Sequence, residues 1–160
     1  MRTIRDHLAV TSKVAALFIL GACQAAPVRP PGAGGQVGTL LLTDWRATNS
    51  VGRAGASLFG TIESRGVTDT LFAVRSDAAS EATLHLSEQA GGMRAAGSFV
   101  VSPNATVTLR DRGPHVMMGT LSRVLEPGDS ISVTLQFRSA GDVTLRVPVF
   151  RLTEASTELP

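Results

Sequence analysis

At 160 residues, with 15 basic and 13 acidic side chains, the chain is long enough for one domain of ordinary size. All its basic residues but one are arginines, scattered without a basic stripe, which argues against electrostatic capture of nucleic acid. A single cysteine excludes an internal disulfide and a site built from several thiolates.

The first element is a leader. Arg2, Arg5 and Lys13 make a basic n-region, and residues 14–20 (VAALFIL) make an apolar run too short to span a bilayer. Leu20-Gly21-Ala22-Cys23 follows and resembles the lipobox of bacterial lipoproteins, in which the cysteine becomes the first residue and carries the lipid. Residues 1–22 are thus expected to be a signal peptide, with Cys23 as the lipidation site. Removing the leader leaves 12 basic and 12 acidic residues, so the basic balance of the whole chain does not describe the mature protein. Residues 24–36 (QAAPVRPPGAGGQ) lack apolar periodicity, and 23–37 reads as a flexible tether between lipid and domain. The expected address is the periplasmic side of a membrane, with Gln24 leaning weakly to the outer one.

A domain is expected over 38–153, with a tail at 154–160. Its pattern is β. Ile131, Val133, Leu135 and Phe137 alternate with Ser132, Thr134 and Gln136, and Val143, Leu145, Val147 and Val149 alternate with polar residues. Val107 and Leu109 follow the same rule, and earlier strands are expected over 40–48, 56–64, 70–74 and 83–87. Ser102-Pro103-Asn104, Glu126-Pro127-Gly128-Asp129 and Ala140-Gly141-Asp142 supply turns. Short strands at this spacing predict an antiparallel β-sandwich or barrel. Pro148 predicts an edge or a bulge in the last strand.

Beyond the leader the chain has two histidines, His85 and His115, and three methionines, Met93, Met117 and Met118, all between residues 85 and 118. His115-Val116-Met117 on a strand would project an imidazole and a thioether from one face. That pairing suits copper, and thioether selects the soft Cu(I) ion. Zinc prefers Cys, His and carboxylate, and calcium and magnesium prefer clustered oxygens. Met118 should face the opposite way, into the core. A blue-copper site would need a cysteine, and no enzyme constellation stands out: Ser87 lies two residues from His85, but the G-x-S-x-G context of a nucleophile is missing.

Residues 44–150 resemble the PCu(A)C family of periplasmic copper chaperones. The resemblance is carried by Thr43-Asp44-Trp45-Arg46-Ala47, Ala56-Ser57-Leu58-Phe59, Ile62-Glu63-Ser64-Arg65-Gly66, Ala82-Thr83-Leu84-His85, Gly113-Pro114-His115-Val116-Met117-Met118-Gly119-Thr120-Leu121 and Leu125-Glu126-Pro127-Gly128-Asp129. The family's metal signature is a His, a Met about a dozen residues later, 21 intervening residues, then His-x-Met. Met93 and His115 have that separation here. The resemblance implies a cupredoxin-like fold and a Cu(I) site of Met93, His115 and Met117 with His85 as fourth ligand. Its implied role is delivery of Cu(I) to a respiratory oxidase copper centre, sometimes with Sco-type proteins. The domain is expected to be monomeric. The chain departs from the pattern in two places. His85 lies only eight residues before Met93, and Leu86-Ser87-Glu88 offers no second soft donor. A three-coordinate Met93–His115–Met117 site is the fallback. A structural or adaptor lipoprotein on the same fold is the alternative reading.

Overall fold

The computed structural model describes residues 31–87 and 92–155. The leader and Cys23 lie outside the described residues. Eleven strands follow in order: β1 (Ala33–Val37), β2 (Leu40–Thr48), β3 (Gly55–Ser64), β4 (Asp69–Ser76), β5 (Ala79–Ser87), β6 (Met93–Ala95), β7 (Phe99–Val101), β8 (Thr106–Leu109), β9 (His115–Leu121), β10 (Ser130–Phe137) and β11 (Gly141–Phe150). A four-residue helix, α1 (Leu152–Ala155), ends the described chain. Among the described residues no helix is long and apolar enough to cross a membrane.

Pairing runs β2–β11–β10–β4–β5–β9–β3 and returns from β3 to β2, closing a seven-stranded barrel. β1 extends it beside β2, and β8 shares the edge of β3 with β9. At one end the hairpin of β4 and β5 opens: β7 pairs with β4, and β6 pairs with β5. The antiparallel expectation holds with one exception. β11 meets β2 in parallel, Val149 beside Ala47 and Phe150 beside Thr48.

Alternation sorts the side chains. Leu40, Leu42, Leu58, Ile62, Leu71, Met118, Ile131, Leu135 and Val147 are fully buried inside the barrel. Met118 therefore faces the core, as its offset from Met117 predicts. Trp45 is also fully buried, lying flat against Gly60. A Cβ at Gly60 would sit 2.4 Å from Trp45 Cδ2, so only glycine admits the indole. The register of β2 on β3 slips between Thr43 and Arg46, with Asp44 at φ 57°. This bulge re-aims the chain, so that Leu42 and Trp45, three apart, both point inward.

Two expectations need correction. The tether was expected to reach residue 37, yet Ala33–Val37 forms β1. Its partners are main-chain groups of β2, so it needs no apolar alternation. Its glycines permit close approach: a Cβ at Gly35 would lie 2.9 Å from Leu145 Cδ2. Pro148 marks no bulge, and β11 is not an edge strand of the sheet, although its β2 flank is unpaired at this position. The N–H and carbonyl of Val149 bond to Asp129 and Gly128, so the nitrogen of Pro148 faces the other side. Pairing with β2 on that side starts only at Val149, and the missing donor interrupts no rung.

Candidate metal centre

β5 and β9 carry the histidines. Their register sets His85 directly opposite His115, and Thr83 opposite Met117. On the other flank of β5, β6 sets Ala95 opposite His85 and Met93 opposite Ser87. Paired residues share a face, and so do residues two apart on one strand. His85, Met93, His115 and Met117 therefore all lie on the outer face of the barrel wall. Leu84, Val116 and Met118 line the inner face of the same wall.

The two imidazole rings are 5.7 Å apart between centroids and tilted by 37°. His115 is buried at 5% exposure, His85 and Met117 are half-buried, and Met93 is 57% exposed. Depth thus falls from floor to rim across the group. Behind His115, Phe59 presents its ring edge-on at 6.5 Å between centroids. Phe59 packs with Phe150, and the guanidinium of Arg46 lies 5.3 Å from the Phe150 ring centre. Arg46 is itself buried, ion-paired to Asp44 across the β2 bulge.

Hydrogen bonds decide which nitrogens are available. His115 Nδ1 lies 2.9 Å from the Gly113 carbonyl oxygen. A carbonyl only accepts, so Nδ1 of the neutral ring carries the proton and Nε2 keeps a free lone pair. His85 Nδ1 is buried without a hydrogen-bond partner. A buried polar atom in that state calls for an explanation, and a missing ligand is one. The candidate donor set is then two imidazole nitrogens and two thioethers, comparatively soft groups. Among the described residues no group of three or more His, Cys, Asp or Glu gathers as a metal site.

Sequence reasoning named the four candidate donors that the register sets on one face, but not the groups packed around them. The Gly113 carbonyl and Phe59 gave no signal by residue type. Ser87 was visible two residues from His85, yet its hydroxyl donates to Gly113 O at 3.0 Å.

No curated protein matches the chain. Solved structures do. A copper-bound PCuAC domain from PmoF2 superposes with a TM-score of 0.66 at 22% identity, covering 74% of this chain and 97% of that one. The apo PCuAC domain from PmoF1 gives 0.67 at 24% identity, covering 74% and 98%. The Cu(I) form of DR1885 from Deinococcus radiodurans gives 0.58 at 20% identity, covering 82% and 84%. The fold is therefore the cupredoxin-like fold of PCuAC domains. The sequence model of a family described as "Putative lipoprotein LpqE-like" matches residues 40–149. That match spans most of the chain, which belongs to the LpqE-like family.

Proposed function

We propose that this protein is a lipid-anchored carrier of Cu(I) outside the cytoplasm, with Met93, His115, Met117 and His85 as its ligands. The observation that carries the reading is the opposed His85–His115 pair, flanked by two thioethers on an open face of the barrel. Neutral sulfur and imidazole donors suit a soft monovalent ion. The structural likeness to a copper-bound PCuAC domain and to a Cu(I)-loaded protein supports the choice of metal. Cys23 behind its apolar leader, together with the lipoprotein description of the family, supports the anchor.

Copper is the cargo, and transfer is ligand exchange. A thiolate of an acceptor forms a bond to Cu(I) as a thioether bond breaks, and no electron moves. Met93, the most exposed donor, is the first to be displaced. His115 and Met117, on one strand over a packed floor, let go last. The acceptor by this reading is an oxidase copper centre or a Sco-type thiol protein.

The test is a competition titration of the full chain with Cu(I) held by a chromogenic chelator. One equivalent should bind, and His115→Ala with Met117→Ala together should remove it. No binding by the native chain, or unchanged binding by the double variant, would defeat the proposal. A structural or adaptor role finds its support in Leu86-Ser87-Glu88, which offers no second soft donor after His85. Copper content of the protein purified after periplasmic expression separates the two readings.

A further inference from the structure

We propose that Ser87 is a positioning residue of this centre, acting through the Gly113 carbonyl to fix which nitrogen His115 offers to the metal. The inference rests on the reading of the site as a Cu(I) centre. Ser87 ends β5, between Met93 on β6 and the turn that precedes His115 on β9. Its Oγ donates to Gly113 O at 3.0 Å, and His115 Nδ1 donates to the same oxygen at 2.9 Å. A carbonyl oxygen has two lone pairs, and both are taken.

The turn that presents this carbonyl is built for the task. Arg110 N–H bonds to Pro114 O at 2.7 Å, and Gly113 N–H bonds back to Arg110 O at 3.2 Å. Arg112 takes the left-handed conformation, φ 54°, that reverses the chain. Gly113 is buried beneath the Arg110 side chain, where a Cβ would come within 2.9 Å of Arg110 Cγ. Ser87 supplies the second point of attachment, from the strand that carries His85.

With the carbonyl pinned, His115 keeps its proton on Nδ1 and its lone pair on Nε2. Without Ser87, the carbonyl loses one of its two contacts, its direction is less fixed, and the Nδ1–H tautomer it selects is held less firmly. Outer partners of metal-bound histidine commonly govern affinity by about 10–100-fold. The hydroxyl oxygen is hard and already engaged, so Ser87 orients a ligand and does not serve as one.

The experiment compares the full chain with Ser87→Ala, Ser87→Thr and Ser87→Val. Thr and Val share a shape, so that pair isolates the hydroxyl. The first readout is the nitrogen NMR signature of His115 in the metal-free protein at neutral pH. The native chain and Ser87→Thr should show one tautomer, protonated at Nδ1, and Ala and Val should show a mixture. The second readout is Cu(I) affinity by chelator competition, expected to fall about tenfold or more in Ala and Val and to recover in Thr. A single Nδ1–H tautomer in both Ala and Val, with affinity unchanged, overturns the proposal. If the native chain binds no Cu(I), the functional reading fails on its own, and the tautomer comparison alone decides the role of Ser87.

Discussion

Met93 and His115 occupy opposite ends of the exposure range within the proposed group of donors, and that difference should appear in kinetics. Met93→Leu keeps the volume and removes the sulfur. It should lower Cu(I) affinity on the order of tenfold, roughly 1.4 kcal/mol, and speed release to a competing thiol. His115→Ala should cost more, because it removes the buried donor and leaves Gly113 O with one partner. Chelator competition and stopped-flow transfer to a small dithiol measure the two effects. Slower release from Met93→Leu than from the native chain would contradict the rim-first order of exchange. The shared face of His115 and Met117 was legible at this scale, because they are two apart on a strand. The hydrogen-bond acceptor of His115 was not, because a backbone carbonyl has no letter of its own in a sequence.

Among the elements, the turn of the β10–β11 hairpin is fastened to β4 by one carboxylate, in addition to the β10–β4 ladder. Asp69 Oδ1 accepts the N–H groups of Thr70 and Ser139 at 2.7 and 2.9 Å, and Oδ2 accepts that of Ala140 at 2.8 Å. Burial works to raise the Asp69 pKa, but the N–H groups of Ser139, Thr70, Ala140 and Arg138 outweigh it and hold the carboxyl below its usual value of 3.8. Ionised Asp69 therefore stabilises the fold at neutral pH. Its contribution persists above 3.8 and is lost as pH falls through the lower folded-state value. Asp69→Asn should cost about 2 kcal/mol in urea unfolding at pH 7. It should also flatten the loss of stability on acidification, and an acid limb as steep as that of the native chain would refute the assignment. Gly60→Ala tests the neighbouring strand pair. The new methyl meets the Trp45 ring, and the loss in stability should reach the upper end of roughly 1–3 kcal/mol.

Strand legibility follows from what holds each strand. β2, β10 and β11 bury alternate apolar side chains, and their expected spans lie within a few residues of the observed ones. The β1 segment Ala-Gly-Gly-Gln-Val and the β6 segment Met-Arg-Ala bury little. They are held by main-chain pairing, to which the residue pattern is blind. The opposition of His85 and His115 depends on the register of two strands far apart in sequence. No spacing rule reports that register, and the short His85–Met93 interval gave no hint of it.

At the scale of the molecule, the proposed donors stand on the outside of a closed wall. Loading as proposed need not disturb the core, and it would link β5, β6 and β9. Cu(I) at about a hundred times its dissociation constant should stabilise the fold by about 2.7 kcal/mol, read as a rise in thermal midpoint. The double variant His115→Ala, Met117→Ala should show no rise. Cys23→Ser should move the protein from the membrane to the soluble fraction without altering Cu(I) affinity. Continued sedimentation with membranes would remove the case for the lipid anchor.

The parallel contact of β2 with β11 has a consequence in time. It joins the second strand to the last, and the barrel lacks a stave until residues 141–150 arrive. A nascent chain cannot complete the cylinder while its C-terminal strand is still being synthesised, and contacts of such long sequence separation form slowly. A precursor exported as proposed would thus reach the translocation machinery still threadable, its closure deferred by topology to the far side of the membrane.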